Sequence, residues 1–226
     1  TRKVSWISDA DIRGFFDMLH HGWLVKFVEH RVADPRVLRL IRKFLRAGVS
    51  EDGQWSKTEV GTPQGAVISP LLANIYLHYV LDLWVHWWRD HHAKGEVYII
   101  RYCDDFVLGF QYQVDAQRFQ GALAQRLEKF GLELHPDKTR LIEFGRFAAT
   151  NRKNRGQRKP ETFDFLGFTH YCSKRRSDGG FTVRRKTIAK KMRAKLKKVK
   201  QDLRHKISLP VASQGRWLGS VVRGHM

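Results

Sequence analysis

Apolar positions recur along the chain with two periods, close to two in some stretches and close to 3.6 in others, and the changeovers divide it into elements. Val4 to Ile12 reads as a strand that delivers Asp11 to its end, followed by a turn at Gly14 and a helix from about His20 to Val32. Val37, Leu40, Ile41, Phe44 and Leu45 recur at helical steps, with Gly48 as the stop. The polar stretch from Gly48 to Gly61 reads as a hairpin or loop. Pro70 then sits just inside a long helix whose Ile68, Leu71, Leu72, Ile75, Tyr76, Tyr79, Val80, Leu83, Trp84 and Trp87 are expected to face a core. Its polar interruptions, Asn74, His78, Asp82 and His86, make it a buried helix rather than a membrane span.

Val97 to Arg101 and Phe106 to Phe110 are β-branched and aromatic runs on either side of Tyr102 to Asp105, the pattern of a hairpin with acids at its tight turn. Val114, Phe119, Ala122, Leu123, Leu127 and Phe130 mark a further amphipathic helix ending near Gly131, and strands are expected at Leu141–Phe144, Phe163–Phe165 and Phe168–Cys172. Arg146 to Pro160, with six Lys and Arg and no acid, reads as a solvated basic loop. The order of elements predicts an α+β fold, an antiparallel sheet backed by helices on one face. Composition shifts near residue 180. Arg184 to Lys206 holds twelve Lys and Arg against Asp202 alone, while Ile188, Met192, Leu196, Val199, Leu203 and Ile207 trace one apolar stripe, so a basic helix is predicted there. Trp217, Leu218, Val221 and Val222 predict a last packed helix after Pro210.

Composition sharpens this outline. With 42% hydrophobic residues in 226 the chain can bury a core and is no disordered tail. Its 42 Lys and Arg against 22 Asp and Glu leave +20, more than solubility requires, so a polyanion is the leading partner. A basic protein soluble by charge alone, or one lying on a membrane surface, is the plainer alternative. Cys103 and Cys172, far apart and each in an apolar context, predict neither disulfide nor zinc site, and a cytoplasmic setting is expected. Because the chain starts at Thr1 without a Met, a fragment is expected.

Two adjacent carboxylates at a hairpin tip, joined by a third from the end of another strand, have the chemistry to hold two magnesium ions and leave room for phosphate oxygens. Asp104, Asp105 and Asp11 fit that description, although an Asp pair alone is also an ordinary turn.

The block Gly61-Thr62-Pro63-Gln64-Gly65-Ala66-Val67-Ile68-Ser69-Pro70-Leu71-Leu72-Ala73-Asn74-Ile75-Tyr76 resembles a signature of reverse transcriptases encoded by group II introns. Asp11 to Asp17, Arg101 to Phe106, Leu132 to Thr139 and Phe165 to Phe168 resemble further blocks in the same order, and Gln214 to His225 resembles the start of the family's maturase, or thumb, region. The resemblance implies a right-hand polymerase: a palm over residues 1–180 with part of the fingers, then the start of a basic helical thumb over 181–226. It implies RNA-directed DNA synthesis with two Mg2+ ions, Mn2+ being the alternative, on an intron RNA template from a DNA primer and dNTPs. A role in intron splicing goes with it.

Residue by residue, the resemblance makes Asp11, Asp104 and Asp105 the metal-binding triad and Lys138 the general acid to pyrophosphate, though a lone lysine is as readily a solvated surface group. It makes Phe16 the residue that excludes a ribose 2′-hydroxyl, Phe15 and Phe16 being equally readable as core aromatics. Gln64 and Gly65 would meet the nucleotide and nascent base pair, and Arg101 and Tyr102 would line the primer end, Tyr102 equally packing on its hairpin. Arg184, Arg185, Lys186, Lys190, Lys191, Lys195 and Lys198 would grip a duplex backbone. The family usually has Ala where Cys103 stands, and its fingers segments upstream of Asp11 are missing, so the piece alone is expected to bind RNA but polymerise poorly. A non-catalytic RNA-binding maturase and a domesticated or defence-associated reverse transcriptase are the alternatives.

Overall fold

Alternating apolar residues on either side of Cys103 and Asp104 pair into a hairpin, and the rest of the computed structural model is arranged around it. The structure describes residues 3–46, 49–51, 54–56, 61 and 68–224. In chain order its elements are β1 (Trp6–Ala10), α1 (Phe15–Met18), α2 (His21–Glu29), α3 (Pro35–Arg46), β2 (Val49–Glu51), β3 (Gln54–Ser56), α4 (Ser69–Leu77), a π-helical segment (His78–Asp82) and α5 (Leu83–His92). There follow β4 (Val97–Tyr102), β5 (Asp105–Phe110), α6 (Gln113–Glu128), β6 (Arg140–Glu143), α7 (Ala148–Asn154), β7 (Phe163–Phe165), β8 (Phe168–Lys174), β9 (Phe181–Thr187), α8 (Ala189–His205) and α9 (Val211–Arg223).

The main sheet has the order β4-β5-β1-β6, antiparallel throughout. Its centre is buried on both faces. Phe106, Leu108 and Phe110 of β5 join a core with Leu24, Leu72, Tyr76, Leu77, Leu81, Phe119, Leu123 and Leu127 from the helices. Val107, between them in sequence and so on the opposite face, joins Ile7, Ile142, Phe144 and Phe163 in a smaller cluster. This is the expected α+β layering, with the far face of the sheet covered by β7. Tyr76, buried, donates its hydroxyl to the carbonyl of Phe130 at 2.9 Å, and burial pushes its pKa up to about 12. Buried Asp115 accepts from the amides of Lys94 and Gly95 at 3.0 and 2.9 Å, fixing the link from α5 to β4.

The long helix expected from Pro70 onward is continuous but not uniform: five residues, His78–Asp82, wind with the wider π repeat. Arg126 of α6 supports that segment, donating from its guanidinium to the carbonyls of Val80 at 3.0 Å and Tyr79 at 3.1 Å.

Two sequence readings are corrected. Arg184, Arg185 and Lys186 are not helical: they lie on β9, which pairs with β8 from Phe168↔Thr187 to Lys174↔Phe181, and the basic helix starts only at Ala189. The sheet β7-β8-β9 is only half covered, so its strands lack the clean alternation that separates a strand from a charged helix. The basic stretch after Arg146 is not all loop, since α7 forms within it, with Ala148 as its buried residue. Neither α8 nor α9 has a buried residue; Leu196 on the apolar stripe is 59% exposed. No described helix is long and apolar enough to cross a membrane.

Candidate active site

β1 and the β4–β5 hairpin bring three aspartates to one end of the main sheet. Ala10, the last residue of β1, pairs with Phe106, and Tyr102 pairs with Asp105. Asp11 therefore leaves β1 beside the two-residue turn Cys103–Asp104. Cys103 adopts φ 56°, a backbone that favours glycine. The segment after Asp11 is held by the next block: Ile12 bridges Leu134, Arg13 N–H donates to Glu133 at 2.9 Å, and His135 N–H donates to the carbonyl of Asp11 at 2.8 Å.

That second connection brings Lys138 to the aspartates. Its ammonium donates to Asp11 Oδ2 at 2.6 Å across 127 positions of sequence. Asp11's hydrogen bond, and its charge, raise the pKa of Lys138 above the ordinary lysine value. Asp105 titrates above the usual carboxylate range because of partial burial first, then repulsion from Asp104 and Asp11, with Lys191 of α8 acting in the opposite direction. Asp9, two residues before Asp11, also has its pKa raised by burial, against a 2.9 Å bond from Arg140.

Among the described residues no group of three or more His, Cys, Asp or Glu side chains is gathered closely enough to hold a metal ion as it stands. The donor chemistry nevertheless fits. Asp11, Asp104 and Asp105 offer hard oxygen ligands, and beside its partial burial the charges of Asp104 and Asp11 raise the proton affinity of Asp105, an electrostatic cost that a divalent cation would relieve.

The other expected site residues are dispersed. Phe16 is half-buried on α1, its ring edge-on to Phe15 at 5.3 Å. Tyr102 is exposed at the hairpin. Arg101 instead turns to the helix behind: its guanidinium donates to Asp82 at 2.8 and 2.5 Å, to Asn74 Oδ1 at 2.7 Å and to the carbonyl of Cys103 at 2.8 Å. Gln64 and Gly65, with the rest of residues 62–67, lie outside the described residues. Of the cations expected to grip a duplex, Arg185 lies over the ring of Phe168 and Lys186 over that of Tyr171, Arg184 reaches the carbonyl of Lys174, and Lys190, Lys191, Lys195 and Lys198 are exposed on α8.

Residue-level reasoning passed over Gly61. It is buried with φ 90°, its N–H donates to Leu19 at 2.9 Å, and its carbonyl accepts from His21 Nε2 at 2.5 Å. A Cβ there would stand 2.7 Å from the carbonyl oxygens of both Phe16 and Asp17, so the start of the Pro-Gln-Gly block is pinned against α1. Its place as the first residue of that block was the available signal. His20 caps the start of α2, its Nδ1 accepting from the amides of Gly22 and Trp23.

Comparison with known proteins agrees with this architecture. A family model described as "Reverse transcriptase (RNA-dependent DNA polymerase)" matches residues 1–170. The chain is 48% identical over 73 residues to the group II intron-encoded protein LtrA of Lactococcus lactis, a match covering 32% of this chain and 12% of that protein. It is 33% identical over 167 residues to protein YkfC of Escherichia coli, covering 60% of this chain and 43% of YkfC. The match to the putative COX1/OXI3 intron 1 protein of Saccharomyces cerevisiae is 34% identical over 94 residues, 41% of this chain and 11% of that one. The chain thus spans less than half the length of these relatives. In fold it resembles apo telomerase from Candida tropicalis, with a TM-score of 0.60 at 15% identity over 82% of this chain and 36% of the telomerase chain.

Proposed function

The chain belongs to the reverse transcriptase (RNA-dependent DNA polymerase) family, and from that premise we propose that it is the catalytic core of a group II intron enzyme that copies RNA into DNA. Its substrates in this reading are an intron RNA template, a DNA primer and dNTPs, and the same protein binds the intron RNA during splicing. The carrying observation is the meeting of Asp11 with the Asp104–Asp105 turn at one end of a palm-like sheet, Lys138 being clasped to Asp11. In the proposed division residues 1–180 are palm and 181–226 begin the thumb.

Asp11, Asp104 and Asp105 would hold two Mg2+ ions, which when bound acidify the primer 3′-hydroxyl and neutralise the triphosphate. The chain's own groups do the rest. Lys138 is protonated at neutral pH, as any lysine of ordinary pKa is, and its bond to Asp11 raises that pKa further. Once Asp11 is otherwise engaged, that ammonium is free to face the leaving pyrophosphate and to donate its proton there. Phe16 is the candidate steric barrier to a 2′-hydroxyl, and Gln64 and Gly65 the candidate contacts to nucleotide and base pair. The exposed lysines of α8 suit phosphate contacts along an RNA or hybrid duplex, read by shape and backbone.

Primer extension on an RNA template with the full-length protein tests this. Asp11→Asn and Asp104→Asn should each abolish DNA synthesis, and wild-type synthesis by either variant overturns the triad. Splicing that survives Asp104→Asn would separate RNA binding from polymerisation.

A further inference from the structure

The guanidinium of Arg101, on a strand that leads into the aspartate turn, is occupied on the protein's interior side. The Arg101 side chain is 13% exposed and that of Asp82 is 24% exposed. Two nitrogens grip both oxygens of Asp82 in a fork-to-fork pair, and the third bridges Asn74 Oδ1 and the carbonyl of Cys103. Asn74 in turn donates from Nδ2 to the carbonyl of Pro70 at 2.9 Å. A continuous hydrogen-bonded path therefore runs from the first turn of α4, directly after the Pro-Gln-Gly block, through Asn74 and Arg101 to the backbone of the turn carrying Asp104 and Asp105.

Two features show that the arrangement is specific. Asp82 closes the π-helical segment, and such segments are rare and recur at functional sites. Cys103 is held at a φ of 56°, a conformation that a non-glycine residue keeps only where its surroundings fix it, and the Arg101 bond to its carbonyl is such a constraint. A lysine could supply the charge but neither the fork nor the bridge.

We propose that Arg101 is a positioning residue, a clamp that sets the Asp104–Asp105 turn against the helix following the Pro-Gln-Gly block, and that it acts through those aspartates rather than by touching the primer. The inference rests on the reverse transcriptase reading above. Its signature is a loss in turnover and a higher Mg2+ requirement, with primer–template affinity unchanged.

The test compares wild type, Arg101→Lys and Asn74→Ala in the full-length protein, measuring kcat and Mg2+ half-saturation at saturating primer–template, and primer–template Kd separately. Because small displacements of reacting groups are costly, Arg101→Lys is expected to lower kcat by about tenfold or more, to raise the Mg2+ half-saturation and to leave Kd within about twofold. Asn74→Ala, which keeps the Arg101–Asp82 pair, is expected to fold normally and show a smaller shift in the same two quantities. It stands as the deciding variant if Arg101→Lys does not fold. A weakened Kd with kcat and Mg2+ response intact overturns the clamp in favour of primer contact, and variants matching wild type throughout overturn any role. If wild type itself synthesises no DNA, the fault lies with the polymerase reading and not with the clamp.

Discussion

Replacing Gly61 with alanine adds one methyl group where two peptide units already sit. The new Cβ would lie 2.7 Å from the carbonyl oxygens of Phe16 and Asp17 and 2.8 Å from the Cα of Asp17, well inside the 3.3–3.6 Å at which carbon and carbonyl oxygen normally meet. Those are backbone atoms, so no side chain can swing aside. The φ of 90° adds a further cost, about 1–2 kcal/mol for a residue bearing a Cβ. Clash and strain together put the expected loss at about 3 kcal/mol if the pinned geometry is kept. For a chain of this size that is a fall of roughly 6–12 °C in Tm. The alternative is release: the bonds to Leu19 and His21 break and the Pro-Gln-Gly block loses its anchor. Tm then moves little, but the KM for dNTP rises in primer extension. Thermal unfolding and dNTP titration of the same variant distinguish these outcomes. A Tm within about 1 °C of wild type, with an unchanged KM, would refute the argument that Gly61 holds this block in place.

Two further predictions follow from charge. The pKa of Asp105 is raised in the fold, so its ionisation works against the folded state: this contribution favours folding below the ordinary aspartate value of 3.8 and is lost as pH rises through the higher folded value. Asp105→Asn is accordingly expected to raise the Tm of metal-free protein at pH 7 while abolishing synthesis, and the gain should vanish below pH 3.8; a lower Tm at pH 7 would contradict the argument from burial and repulsion. On α8, Lys190→Ala, Lys195→Ala and Lys198→Ala should weaken binding to RNA duplexes of any sequence alike, each lowering the salt slope by about 1 if it touches a phosphate. Salt slopes equal to wild type would show that this face does not meet the backbone.

The parts of the fold that were legible share a cause. β5 is buried on both faces and α6 along one, so the apolar run of the first and the helical period of the second were written strongly, and the acids stood at the turn before β5. Where burial is partial the signal fades. β9 carries Arg184 to Lys186 on a half-covered sheet and read as the start of a helix, and α7 buries too little to stand out from the cations around it. The π-helical segment was invisible because its apolar residues still recur at steps compatible with an ordinary helix. For the candidate site, residue chemistry and spacing singled out the three aspartates, but not the bonds made by Lys138 and Arg101. Lys138 reaches Asp11 over 127 positions and Arg101 reaches Asp82 over 19, and no local pattern encodes such pairings. Gly61 was passed over because its role depends on backbone that arrives from α1.

The π-helical segment has a consequence for how the long helix can change. Its wider winding shifts the helical phase of everything that follows relative to what precedes, where one residue of an ordinary helix corresponds to roughly 100° of rotation. Residues 69–77 and 83–92 are thus set in two rotational frames: the first carries Asn74 toward the aspartate hairpin, and the second turns Trp84 and Trp88 onto Phe119 of α6. A single-residue deletion between His78 and Asp82 would shorten the helix by only one residue and still rotate one frame by roughly 100° relative to the other.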